Sequence, residues 1–388
     1  MHNELCYGLS ALASTAVGSD TDSTVPAQLL REARFGIQIL NCLELRFIAA
    51  LFINMNFLFV LMVCAVVVTV VEGQSKEEAW RVYKRKFNKN YQIPADGGKR
   101  DRMRKETFFK SYDRVQKHNS NRMSHYRRKV NRFSDMLPGE LKKILGINNN
   151  SIPTAPPKMS IHTLGMGIIT QQNIPSRLDL RYDSCLPEIE NQGQCGSCWA
   201  LTAVTSVEFA YCKKNNNISV LLSDQQVLDC DRTDMSKGCL GGWPWDAWEY
   251  MSKNGIAMAS VYPYKGVDSV CKYVDTMRVT SVRAYNYVES RNVVDMQYAL
   301  TNFGPLVAAM TVVQSFMDYA SGVYDDKICD GKMVNHAVVL VGWGNQNGVD
   351  YWIGRNSWGP GWGNEGYFLI QRGVNKCSIE TYVGYALV

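Results

Sequence analysis

The spacing of apolar residues divides this chain into stretches of different period. Phe47 to Val71 is almost continuously apolar, broken by Asn54 and Asn56. From residue 76 a helical spacing takes over. Trp80, Tyr83 and Phe87, then Phe108, Tyr112 and Val115, fall three to four apart with charges between them. That predicts helices on either side of the break Pro94-Ala95-Asp96-Gly97-Gly98. Periodicity is lost over residues 148–173, where Asn148-Asn149-Asn150, Pro153, Pro156-Pro157 and Gly165-Met166-Gly167 predict an exposed linker. Beyond it, Ser197 to Cys212 reads as a buried helix, and Val288 to Gln297 as the approach to a second. After Thr301 come short apolar runs, Leu306–Met310, Ala337–Val341 and Tyr367–Ile370, separated by glycine-rich turns that predict strands. Helices first and sheet later predict an α+β unit with two lobes. No internal repeat is present.

At 388 residues, with 46% hydrophobic and 20% charged residues, the chain has an ordinary globular composition. The segment from Met55 to Gly73 has the layout of a secretory signal peptide, with an apolar core and a small-residue exit. A membrane-spanning signal anchor is the alternative. Residues 1–54 are expected to be a non-native or disordered leader, Met55 being the working start. Charge is distributed unevenly. Residues 76–147 carry 21 basic and 8 acidic groups, a net +13, whereas residues 174–388 carry 17 and 22, a net −5. Basic stretches often meet nucleic acid or membranes. Here the charges are interleaved with aromatic residues in an amphipathic pattern, so a partner within the same chain accounts for them better.

Nine of the twelve cysteines lie beyond Ile174, and nine cannot all pair. The candidate odd thiol is Cys198, within Gln192-Gly193-Gln194-Cys195-Gly196-Ser197-Cys198-Trp199. A Cys-x-x-Cys such as Cys195–Cys198 could also be a redox pair or half a zinc site. The βαβ setting of the first and the second ligand pair of the other are both missing. The segment resembles the active-site signature of papain-like cysteine proteases, and the resemblance runs from about residue 76 to the end. It implies a papain-like two-lobed fold, with a helical lobe, a β-barrel-like lobe and a cleft between, preceded by a helical propeptide. Cys198 would be the nucleophile at the positive end of a helix. His336, the one histidine after residue 174, would be the base, Asn356 its orienting partner and Gln192 the oxyanion donor, with Trp358 shielding the imidazole.

The resemblance further implies a cathepsin L-type zymogen without metal or cofactor. Asn131-Arg132-Phe133-Ser134-Asp135 is similar to a propeptide motif of that group, with Lys129 where glycine is usual. The expected division is signal peptide 55–73, inhibitory propeptide 74–147, activation linker 148–173 and peptidase domain 174–388. Substrate backbone would lie along Gly241 and Gly242. Trp243, Pro244, Ala309, Val334, Asn335, Ala337 and Tyr382 would complete the binding cleft, an apolar lining that favours a hydrophobic residue two before the scissile bond. Tyr382 is expected to shorten that pocket, so that leucine or valine is preferred to phenylalanine. Implied disulfides are Cys195–Cys239, Cys230–Cys271 and Cys329–Cys377. Cys185 and Cys212 remain and are expected to form an extra bridge, two reduced thiols being the alternative. Asn149 and Asn217 begin glycosylation sequons. Expected partners are protein and peptide substrates, the intramolecular propeptide (residues 76–147) and cystatin-type inhibitors, with no nucleic acid and a monomeric mature enzyme. The expected destination is the secretory pathway, ending in lysosome or extracellular space. A catalytically inactive papain-fold binding protein is the alternative. Acid is expected to weaken propeptide docking by protonating carboxylates.

Overall fold

In the computed structural model, the residues described are 76–91, 96–147, 174–233 and 235–388. The expected leader, signal peptide and linker, with Asn149, lie outside them. The two helices anticipated before residue 120 are α1 (76–86) and α2 (Lys99–Asn119). Their aromatic stripes meet. The Tyr83 and Phe108 ring centroids are 4.5 Å apart and those of Trp80 and Phe108 5.3 Å apart. Strand β1 (Tyr126–Arg128) and the short helix α3 (Pro138–Lys143) then carry the chain toward the second half of the molecule.

The central helix α4 (Cys198–Lys214) is apolar around most of its circumference and is buried accordingly, against α5 (Asp224–Cys230) and α6 (Pro244–Asn254). Trp199, Val204, Trp245 and Trp248 form the core of this helical lobe. The second lobe is a sheet built from β2 (Leu178–Asp179), β3 (Ala284–Tyr287), β4 (Leu306–Met310), β5 (Tyr319–Tyr324), β6 (His336–Gln346), β7 (Val349–Arg355), β8 (Tyr367–Gln371) and β9 (Tyr382–Leu387). Strand order is β1-β5-β8-β7-β6-β4-β9-β3, with β2 also pairing β6. All pairings are antiparallel except β5 with β8. Helices α7 (Val293–Phe303) and α8 (Gln314–Met317) complete it, over a separate core that includes Phe316, Trp352, Trp362 and Phe368. Two cores make two lobes, as the apolar pattern predicts.

Boundaries differ where capping overrides periodicity. Helix α4 begins at Cys198, with Ser197 as its cap, and runs two residues past Cys212. The stretch Val288 to Gln297 leads into a helix as expected, α7 beginning within it at Val293, where the Asn292 side chain accepts the Asp295 amide at 3.1 Å. Helices α5 and α6 are not foreseen by periodicity. Their signals are local: Ser223 capping Gln226 at 2.9 Å, and Pro244 in the first turn.

Candidate functional site

Cys198 opens α4, with its sulfur buried at the lobe junction and in no disulfide. The other eight cysteines beyond Ile174 form four bridges. Cys185–Cys212, Cys195–Cys239, Cys230–Cys271 and Cys329–Cys377 have sulfurs 2.03, 2.04, 2.06 and 1.97 Å apart. The Ala337 amide donates to Cys198 Sγ at 3.4 Å, so the thiol abuts the start of β6 next to His336. Burial pushes the thiol up to about 11, against backbone hydrogen bonds that favour the thiolate, including one from Gly146.

His336 and Asn356 are twenty residues apart in sequence but meet because β6 and β7 form an antiparallel hairpin. His336 starts β6, and Asn356 follows the end of β7. His336 Nε2 lies 2.9 Å from Asn356 Oδ1, an oxygen that also accepts the Ser357 amide at 2.9 Å. The amide oxygen therefore faces the ring, which places the imidazole proton on Nε2 and leaves Nδ1 as the basic nitrogen. That Nδ1 is buried and has no hydrogen-bond partner among the described residues. The Trp358 indole packs 4.8 Å from the imidazole. Burial pushes His336 down to about 4, the Asn356 bond opposing it.

Gln192 is held at both ends of its amide. Ser357 Oγ donates to its oxygen at 2.6 Å. Its Nε2 donates to Cys195 O at 2.7 Å and to Ile144 O at 2.8 Å. The Tyr264 hydroxyl donates to the Gln192 carbonyl at 3.0 Å. Ser357 lies within Asn356-Ser357-Trp358-Gly359, next to the expected orienting residue, although that segment gives it no role of its own; no motif signal marks Tyr264.

A propeptide carbonyl thus sits on the amide predicted to face an oxyanion. The following residues run through the cleft as a strand. Gly242 N donates to Gly146 O at 2.9 Å, and Ile147 N donates to Asn335 O at 3.1 Å. Ile147 bridges Gly242 in parallel. Glycine is required at the crossing: a Cβ on Gly146 would stand 1.9 Å from Gly196 O and 3.1 Å from Cys198 Sγ. Opposite, a Cβ on Gly242 would stand 2.5 Å from the Trp199 ring. At Gly241, φ is +119°. Sequence reasoning missed residues 144–147, although a glycine just ahead of a linker is a detectable cue.

Most of the anticipated pocket residues fall in one buried cluster with Ile147. Trp243, Ala309, Val334 and Ala337 share its buried cluster, with Tyr382 packed against it. Register explains this, since Ala309 pairs Ala337 on one side and Tyr382 on the other. Tyr382 meets Trp243 edge-on at 5.4 Å, and Pro244 is buried at the start of α6. The Asn335 side chain is tied to both main-chain groups of Val312, at 2.8 and 3.0 Å, so its carbonyl is what faces the cleft. Asn217 is exposed with φ +62°.

The profile described as papain family cysteine protease matches residues 174–387. The chain belongs to the papain family. The cathepsin propeptide inhibitor domain profile matches residues 80–141. A cathepsin L-like proteinase of Fasciola hepatica is 33% identical over 84% of this chain and 98% of its own length. Pro-cathepsin H of Mus musculus is 35% identical over 73% of this chain and 84% of its own. The structure of digestive procathepsin L2 proteinase from Tenebrio molitor larval midgut superimposes with a TM-score of 0.74 at 30% identity. It covers 81% of this chain and all of that one. This papain-family member is a cysteine endopeptidase made as a zymogen, with its own propeptide as intramolecular inhibitor. Among the described residues, no helix is long and apolar enough to cross a membrane.

Proposed function

We propose that Cys198, His336 and Asn356 carry out peptide-bond hydrolysis once the segment 144–147 leaves the cleft. Solvent then lowers the cost of charge, and the thiol proton passes to His336 Nδ1. The sulfur attacks the scissile carbonyl, and the oxyanion accepts from Gln192 Nε2 and the Cys198 amide. His336 returns the proton to the leaving amine. Water, deprotonated by the same nitrogen, hydrolyses the thioester and restores the thiol. The observation that carries this reading is the Ile144 carbonyl on Gln192 Nε2, beside Gly146 over Cys198. A main-chain carbonyl already occupies the place assigned to the substrate's.

Cleavage within residues 148–173 would release the 174–388 domain. Four disulfides support passage through the secretory pathway. The pocket would take a branched aliphatic residue two before the scissile bond, as it takes Ile147 here. Two measurements test these assignments. An epoxide should label the acid-activated protein and not Cys198→Ala; an unlabelled activated protein would favour a silent binding protein. In a peptide series, leucine, isoleucine or valine should exceed phenylalanine, and Tyr382→Ala should raise phenylalanine selectively. A native preference for phenylalanine or arginine would reject the pocket assignment.

A further inference from the structure

The two oxyanion donors stand at opposite ends of an irregular loop. Gln192 opens it, and Ser197, which precedes the Cys198 amide, closes it at the cap position of α4. Residues 192–197 form no helix or strand, so no regular element sets the spacing of the donors. The Ser357 carbonyl holds the Gln192 amide at 2.9 Å, and the Cys195–Cys239 bridge holds the middle of the loop. Neither joins one end to the other. The Tyr264 side chain does. Its hydroxyl donates to Gln192 O at 3.0 Å and lies 2.6 Å from Ser197 Oγ. A hydroxyl has one proton and a carbonyl can only accept, so Ser197 donates to Tyr264 and Tyr264 to Gln192. The Ser197 hydroxyl makes no capping bond to α4 that would compete.

Helix α5 aims the ring. The side-chain oxygen of its buried Gln225 accepts the Lys265 amide at 2.7 Å and the Gly266 amide at 3.2 Å, and the nitrogen donates to Val267 O at 2.8 Å. The segment after Tyr264 is thereby stapled to α5. At Gly266, φ is +66°, and a Cβ there would stand 3.4 Å from both Gln192 O and the Tyr264 ring. Glycine lets the turn close against that carbonyl. Burial pushes the Tyr264 hydroxyl up, the bond from Ser197 opposing it and the charges of Asp224, Glu190 and Cys198 adding to it. The hydroxyl therefore keeps its proton, and its donor, over the pH range of hydrolysis.

We propose that Tyr264 is a positioning residue for the oxyanion site, tying Gln192 to Ser197 and so fixing the spacing of Gln192 Nε2 and the Cys198 amide. The proposal rests on the assignment of those two groups as the donors. A donor displaced from the developing oxyanion loses much of its effect. The thiol and imidazole are held separately, by α4 and by the Asn356 bond at 2.9 Å. Tyr264 therefore acts on steps that form an oxyanion and not on the reactivity of the sulfur itself.

The test compares Tyr264→Phe, Gln192→Ala and the double variant, each made as the full-length precursor and activated in acid with reductant. Tyr264→Phe should lower kcat about tenfold with KM little changed. It should weaken inhibition by a peptide aldehyde, whose thiol adduct is tetrahedral at the same carbon, by about the same factor. Reaction of Cys198 with 2,2′-dipyridyl disulfide, a probe without a carbonyl, should keep its rate and pH profile, which a general structural loss would disturb. In the double variant the two losses should combine to less than their product. Should Tyr264→Phe not fold, Ser197→Ala, which removes the other bond and no helix cap, should lower kcat at least about threefold, and an unchanged kcat there overturns the proposal. Unchanged kcat in Tyr264→Phe beside a slowed Gln192→Ala overturns the proposal alone, as do fully multiplicative losses or a slowed disulfide probe. Unchanged kcat in Gln192→Ala overturns the oxyanion assignment beneath it, and the proposal with it.

Discussion

Burial under the propeptide moves the Cys198 thiol and the His336 imidazole in opposite directions, one to about 11 and the other to about 4. Both shifts favour the uncharged form, so the zymogen holds a neutral pair where a working thiol needs a thiolate. Iodoacetamide should therefore label the precursor slowly at pH 7, with a rate climbing toward pH 11. After propeptide release, labelling should be rapid at mildly acidic pH. Equal rates in the two forms would show that the propeptide does not control the thiol. Gln192 permits a separate test, because its amide is already aimed by Ser357 and needs no rearrangement to meet an oxyanion. Gln192→Ala should lower kcat of the activated enzyme about 10²–10³-fold with little change in KM. An unchanged kcat would remove Gln192 from the mechanism.

Residues 76–147 meet the rest of the described chain through two strand contacts that differ in kind. Residues 144–147 use backbone bonds to Gly242 and Asn335, with Ile144 buried in the sheet-lobe cluster and Ile147 in the helical-lobe cluster. Strand β1 pairs with β5, and around it His125, Arg128 and Arg114 meet Asp325, Asp326 and Asp318 at 2.6, 3.2 and 3.4 Å. The His125 and Arg128 pairs, at least partly exposed, set orientation more than affinity, whereas Asp318 is buried. Phe133, edge-on to Trp358 at 5.3 Å, links the two contacts beside the imidazole. Gly146→Ala tests the first contact without touching the second. A Cβ has no room beneath Gly196 O, so the strand must lift. The variant precursor should show peptide hydrolysis before any processing, while unprocessed wild type shows none. A silent Gly146→Ala precursor would place the inhibitory energy in β1 and its ion pairs instead.

For the whole molecule, the response to acid is a sum of opposed terms. A group whose pKa is depressed on folding makes the folded form resist a proton that the unfolded chain accepts. His336, down from 6.5 to about 4, thus destabilises the docked form as pH falls through that interval, by on the order of 3 kcal/mol. Asp318 runs the other way. Burial raises it from 3.8 to about 6, so an ionisation penalty present at neutral pH is relieved over nearly the same interval. The expectation that carboxylates as a class drive release in acid is corrected at this residue. Asp326, held down by the Ile328 amide and by Ser315, Tyr126 and Arg128 despite burial, and Glu140, held down by Arg104, lose their contributions only below their ordinary values of 3.8 and 4.5. Glu208, Asp224, Asp231 and Asp246 are raised by burial as well, so the Asp318 contribution is read as a difference. Between pH 6.5 and about 4 the Cys198→Ala precursor should lose less melting temperature than the same precursor carrying Asp318→Asn, which is neutral at that position throughout. Parallel profiles for the two would reject the compensation.

Reactive chemistry and element type were legible along the chain because both are local. The odd cysteine, the one histidine beyond residue 174, the helix spacing of α2 and α4 and the apolar runs of β4, β6 and β8 need no knowledge of what lies across the molecule. Strand β1 and helices α5 and α6 escaped that reading, since three to eleven residues carry too little periodicity and are held by caps and partners. The tertiary structure alone decided that Ile144 to Ile147 crosses the cleft and that Asp318 opposes His336 in acid. Each of these depends on burial and on contacts between residues far apart in sequence, and the free energy of a charge is set by its surroundings rather than by its neighbours along the chain.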